Sequence, residues 1–196
     1  MTDKENFIKI YTENIHREGS DKLLDWLEKT DFFSAPASTK YHLAEEGGLI
    51  KHSLNVYRMF RDEVIRFSKD KSGIDTLDAE MEEKVAIIAL LHDLCKAQFY
   101  NVSTKNVKNE QTGQWEKVPY YSIDDKFPFG HGEKSVFLIE RFMRLKLDEA
   151  MAIRWHMGGF DDSVKGGSYA LGNAFQAQPL CLLIHIADMK ATYLFE

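Results

Sequence analysis

Residues 85–91, VAIIALL, are apolar almost all the way round a helix and run without a break into His92-Asp93. Seven residues fall far short of the ~20 that a membrane-spanning helix needs, so the segment has to be enclosed by protein. A helix with no polar face lies at the centre of a fold, and amphipathic helices must surround it. The acidic turn that follows Asp78 suits the positive end of a helix dipole and sets the start of this central helix there.

The rest of the chain supplies such neighbours. The first 30 residues carry two helical patterns, the second through Leu23, Leu24, Trp26 and Leu27 after a Gly19-Ser20 break that offers an N-cap. Residues 31–48 hold turn formers without a sustained period. Beyond Gly47-Gly48, residues Leu49, His52, Leu54, Val56, Phe60 and Val64 fall near helical spacing, with Lys51, Arg58, Arg61 and Asp62 as the polar face. This places His52 among the inward positions. Helical patterns return at Glu133–Arg144, Leu147–His156 and from Ala174 to the C-terminus, where Leu182, Leu183, Ile186 and Ala187 surround Asp188. Residues 99–128 differ: β-branched and aromatic residues flank a polar tip, Asn109–Gln114, containing Gly113, which predicts an inserted β-hairpin. The glycines between 158 and 172 read as a flexible connector rather than a phosphate cradle. The expected fold is all-α, a helical bundle forming one domain over 1–196, with packing helices in 1–30 and a small hairpin within 99–128.

Composition excludes several classes. With 44% hydrophobic and 12% aromatic residues the chain can bury a substantial core, unlike a disordered segment. Its 31 acidic against 25 basic residues, a net charge of -6, have the wrong sign for an extended nucleic-acid surface. No run is apolar enough for a membrane, and MTDKENF has acids where an export signal is basic, so the expected location is the cytoplasm. Cys95 and Cys181 form no CxxC pair and read as reduced core residues.

The chemistry lies in the order of the histidines. Four of the seven sit at the ends or inner faces of different helical segments: His52, His92 in LLHDLCKA, His131 in GHGEKS and His156 in RWHMGG; Asp188 follows in HIADMKA. An isolated His-Asp pair carries little information, whereas this succession points to convergence. Neutral imidazole suits borderline transition metals, and a carboxylate has two oxygens, so Asp93 can bridge two ions ~3.5 to 4 Å apart.

From Phe32 to Thr192 the sequence resembles the HD-domain superfamily of metal-dependent phosphohydrolases, whose pattern of H, HD, H, H and D is filled by His52, His92-Asp93, His131, His156 and Asp188. The stretch GGLIKHSLNVY is particularly similar to the HD domain of a bacterial 3′-to-5′ exoribonuclease family, without the oligonucleotide-binding domain that precedes it there. The resemblance implies that His52, His92, Asp93 and Asp188 bind one divalent ion and that Asp93, His131 and His156 bind a second, the metal being Mn, Fe, Co, Ni or Zn. It implies hydrolysis of a phosphate ester, on a nucleotide, a short oligonucleotide or another phosphorylated small molecule, by a metal-activated hydroxide. Two divalent ions against two aspartates leave a cationic pocket that favours phosphate. Two other readings keep the same ligands: an HD-type diiron oxygenase acting on a small alcohol or phosphonate, and a non-catalytic nucleotide-sensing or partner-binding domain.

Further residues stay open. Lys96, three after Asp93, either reaches a substrate phosphate, as its HDxxK position does in the family, or is a solvated helix-end lysine. With Asp93 it forms the expected catalytic pair. His185 is either an outer partner of the metal ligands or core, and His16 and His42 read as surface or loop. Lys134 and Arg154 are weaker candidates for reaching a phosphate, a basic residue beside a motif histidine more often being surface, and Glu133 and Asp161 are weak candidates for orienting a water. Tyr100, Trp115, Tyr120 and Tyr121 either stack on a base or, as expected here, pack the hairpin onto the helices.

Overall fold

The computed structural model describes residues Met1–Glu196 as an all-α bundle with one two-stranded hairpin. Its helices are α1 (Asp3–Asn14), α2 (Ser20–Lys29), α3 (Gly48–Ser72), α4 (Ala79–Leu91), α5 (His131–Glu140), α6 (Leu147–Trp155), α7 (Asp162–Lys165), α8 (Ala170–Ala177) and α9 (Pro179–Lys190). No helix is long and apolar enough to cross a membrane.

The central position of α4 follows from its sequence. The Asp78 side chain accepts from the Met81 N–H at 2.8 Å and caps the helix, and every residue from Val85 to Leu91 is buried. Helices α1, α3 and α6 pack against it, while α9 lies across α3 and α6. The N-terminal helices close one side through Phe7, Tyr11, Leu23 and Leu27, with the Phe7 ring meeting Phe32 and Phe33 edge-on. Arg17, between α1 and α2, fixes them to the bundle: its guanidinium donates to both oxygens of Glu149 on α6, at 2.6 and 2.9 Å, and to Glu83 on α4 at 3.0 Å.

Several boundaries differ from expectation for local reasons. Gly19, in the left-handed conformation, stands at the N-cap of α2, so Ser20 is its first helical residue and supplies no side-chain cap. Helix α5 begins at His131, two residues before the expected Glu133. The C-terminal helix is two: α8 stops at Ala177, Gln178 is extended, and α9 restarts with Pro179 in its first turn, where a missing N–H is harmless. The glycine-bearing connector contains α7 and the start of α8.

Strands β1 (Tyr100–Lys108) and β2 (Trp115–Ile123) pair antiparallel in the register Tyr100↔Ile123 to Lys108↔Trp115, around a tip in which the Asn109 side chain accepts from the Gln111 and Thr112 N–H groups. Only the base of this hairpin is tied down. Tyr100 donates to Ala37 O at 3.3 Å, and Lys134 on α5 donates to Asp125 at 2.6 Å while lying over the Phe99 ring. The packing role expected of four aromatics therefore holds for Tyr100 at the base and the half-buried Tyr121 beside it, but not for Trp115, 70% exposed near the tip, nor for exposed Tyr120. Lys134, expected at the surface, is buried as the anchor of this base.

Candidate metal centre

Six helical or helix-terminal positions converge at one end of α4. His52 points inward from the second turn of α3, His92 and Asp93 follow α4, His131 opens α5, His156 ends α6 and Asp188 lies in the last turn of α9. Close approach depends on two glycines. A Cβ on Gly132 would lie 2.2 Å from Arg154 O, so only glycine lets α5 bring His131 beside His156. Gly158, at φ +53, leaves room for the His185 ring, which a Cβ would meet at 2.4 Å.

The two Asp93 oxygens face different histidine pairs. Oδ1 lies 2.8 Å from His131 Nε2 and 3.5 Å from His156 Nε2; Oδ2 lies 3.6 Å from His52 Nε2 and 3.5 Å from His92 Nε2. Asp188 Oδ1 is 3.2 Å from His52 Nε2. Ligand atoms of His52, His92 and Asp93 lie within 4.8 Å of one another, as do those of Asp93, His131 and His156 and those of His92, His156 and Asp188.

Helix ends fix how two of these histidines present themselves. His92 and His156 cap α4 and α6, where the last carbonyls have no N–H partner of their own. The Nδ1–H of His92 donates to Ala89 O at 2.8 Å and that of His156 to Ile153 O at 2.7 Å, which turns both Nε2 atoms toward Asp93. His185 Nδ1–H donates in turn to His156 O at 2.8 Å, giving this residue an outer supporting position.

The charge pattern suits cations. Burial, with His156 and His52 nearby, pushes His92 down to about 3, leaving it neutral as a ligand must be. Burial also pulls on His52, but the carboxylates of Asp188 and Glu196 overcome it and carry His52 up to about 9, so this imidazole must release a proton before it can bind an ion. Asp93 is fully enclosed, a change that alone would raise its pKa, yet Lys96 and His92 hold it well below the usual range. Most telling is His156 Nε2, a buried nitrogen with no hydrogen-bond partner. An unpartnered buried acceptor is costly unless something binds it, and a lone pair beside a carboxylate shared by three other imidazoles is the donor chemistry of a transition-metal site. The residues present therefore fit divalent ions.

Lys96 is neither solvated nor on a continued α-helix. The chain tightens into a 3₁₀ turn at Leu94–Lys96, whose three-residue period sets Lys96 over Asp93, and Nζ sits 2.6 Å from Oδ2. Arg154 bridges Glu133, Asp161 and Ser163, so both carboxylates are engaged in joining α5, α6 and α7 and neither faces the centre as a water-orienting group. His16 is exposed and His42 lies in a turn outside the helices, as expected, but His42 is half-buried against the centre: its ring lies 5.1 Å from that of His52 and its Nε2 is buried. Cys95 and Cys181 are buried free thiols. Above the centre opens a cleft of about 850 Å³, into whose wall the base of the hairpin brings Tyr100 and Ile123.

The model of the HD domain matches residues 49–189, starting just before His52 and ending just after Asp188. The chain belongs to the HD-domain family. No curated protein and no solved structure matches it. Within the HD domain the match covers α3 through most of α9, hairpin included, while α1 and α2 lie outside it.

One further participant, Glu196, stands outside the succession of histidines and aspartates. Both of its carboxylate oxygens lie 3.0–3.1 Å from His52 Nδ1. The available signal was the spacing of Asp188, Thr192 and Glu196, four residues apart and therefore on one helical face.

Proposed function

We propose that the protein is a divalent-metal-dependent phosphohydrolase that cleaves the phosphate ester of a nucleotide or short oligonucleotide. The observation that carries this reading is Asp93, whose two oxygens face two separate histidine pairs as a bridge between two ions requires. His52, His92, Asp93 and Asp188 would hold one ion, and Asp93, His131 and His156 the other. Such ions, when bound, polarise a phosphoryl oxygen and activate water.

The chain's own groups do the rest. Burial tends to neutralise the Lys96 ammonium, but Asp93 beside it raises its pKa above the ordinary value, so a fixed positive charge stands in the cleft for a phosphate oxygen. The mouth carries unusually exposed rings, with Tyr41 at 75%, Tyr193 at 67% and Phe160 at 47%, and Lys165 among them. Exposed aromatics around a cleft offer faces for a nucleobase, a contact worth ~1–3 kcal/mol per base.

Lys96→Met should lower kcat/KM roughly 10- to 100-fold, the worth of one charge-assisted hydrogen bond, with metal content unchanged. Unaltered kinetics in the fully metallated variant would remove Lys96 from the substrate site. The assignment itself is tested by anaerobic phosphate release from nucleoside monophosphates, short oligonucleotides and glycerol phosphate with Mn²⁺, Co²⁺ or Mg²⁺, alongside oxygen uptake by the iron-loaded protein. Hydrolysis without oxygen, faster for the base-bearing esters, is expected. No release with any metal, together with substrate-dependent oxygen consumption, would make the protein an oxygenase instead.

A further inference from the structure

The histidines of the centre are held in different ways. His92 and His156 cap their own helices and find a carbonyl three residues back. His52 cannot do this, because in the second turn of the 25-residue α3 the carbonyls behind it belong to the helix ladder. Its Nδ1 needs an acceptor from elsewhere in the fold. After α9 the chain widens into a π-helical turn, Ala191–Phe195, and this turn delivers Glu196 against α3. The Glu196 side chain is fully buried, with Oε2 3.0 Å from His52 Nδ1 and Oε1 accepting from Asn55 Nδ2 at 3.0 Å. His52 and Asn55 are three residues apart on one face of α3, so both groups that engage the carboxylate come from a single helix.

We infer that Glu196 is a positioning residue of the metal centre: with Asn55 behind it, it keeps the proton of His52 on Nδ1 and turns Nε2 toward Asp93 and Asp188. A buried carboxylate without a partner is strongly unfavourable, and here its partners are a metal-ligand histidine and the amide that orients the carboxylate. An anionic acceptor also makes the imidazole a better donor to a cation than a carbonyl does, which distinguishes His52 from His92 and His156. The inference rests on the reading of the cluster as a metal site.

The test uses the full chain and Co²⁺ as probe, with affinity from calorimetric titration, the visible absorption of bound Co²⁺, and the His52 tautomer from ¹⁵N-resolved imidazole spectra. Glu196→Ala should weaken the ion shared by His52 and Asp188 by roughly 10- to 100-fold, shift its absorption and leave the ion at His131 and His156 in place. Glu196→Gln, whose amide oxygen still accepts from Nδ1–H, should restore most of the affinity. Asn55→Ala loosens the latch without touching His52, so a merely structural role would give it the same affinity loss as Glu196→Ala. That equality, or Co²⁺ binding and absorption unchanged in Glu196→Ala, would overturn the inference while leaving the two-metal reading intact. A third ion, lost in both Glu196→Ala and His42→Ala, would overturn it by making Glu196 a ligand. Absence of Co²⁺ binding in the unmodified protein would overturn the metal reading and this inference together.

Discussion

Asparagine in place of Asp93 should leave the protein with neither ion, whereas alanine in place of His131 should remove one ion and leave the other. The difference follows from how the oxygens are shared. Oδ1 serves the His131 and His156 side and Oδ2 the His52 and His92 side, so both subsets lose their only common member when Asp93 changes. An asparagine amide keeps one neutral oxygen and turns an NH₂ donor toward the other subset, where it has no lone pair to offer a cation and instead donates to the imidazole nitrogens that would bind it. His131 lies at the start of α5, on the Oδ1 side alone, and its loss leaves His52, His92, Asp93 and Asp188 with their geometry. Turnover should fall by at least ~10³-fold in Asp93→Asn, since Lewis-acid stabilisation of several kcal/mol disappears and each 1.36 kcal/mol is tenfold in rate. Metal stoichiometry after exhaustive dialysis checks the first part and phosphate release the second. Two ions retained in Asp93→Asn, or a single ion in the unmodified protein indifferent to both His131→Ala and His156→Ala, would refute the bridge.

The sequence made the framework of this centre readable because its determinants are local. An apolar run ending in His92-Asp93 can only be a central helix that presents those residues at its end, and the inward position of His52 follows from the helical period of Leu49, Val56 and Phe60. What stayed hidden depends on partners far away along the chain. Lys134 looks like any surface lysine until the hairpin's return strand brings Asp125 to it, and His42 looks like a loop residue until the turn-rich segment folds over His52. Glu196 meets a histidine 144 residues earlier through a π-helical turn that has no pattern of its own in the sequence. The break at Gln178-Pro179 was legible in principle, since proline favours the first turn of a helix, but the apolar period on both sides masks it.

Arg17→Met should destabilise the protein more than any exposed substitution while leaving every metal-centre residue in place. Glu149 is wholly buried at the start of α6, and three hydrogen bonds satisfy its carboxylate: two from Arg17, and the Lys146 N–H at 2.6 Å. Methionine keeps the aliphatic stem but removes the guanidinium, leaving a buried charge with one backbone donor. Breaking such a pair costs about 3–5 kcal/mol, a large share of the roughly 5–15 kcal/mol that stabilises a domain, and lowers Tm by on the order of 10 °C. The sign of the pH dependence is set by Glu83, the other partner. Burial alone would raise its pKa, but the His16 N–H and Arg17 hold it below the ordinary carboxylate value. A carboxylate depressed in the folded state stabilises it fully above the unfolded pKa of about 4.3 and loses that contribution as pH falls through the folded value. The gap in unfolding free energy between the unmodified protein and Arg17→Met should therefore be widest near pH 7 and narrow toward pH 3. Urea denaturation at both values measures it. A gap below about 1 kcal/mol at pH 7 is what an exposed ion pair would give, and it would reduce the Arg17 link to a surface contact. A gap that grows on acidification would show that the N-terminal helices are held by apolar packing through Phe7 and Leu27 rather than by this pair.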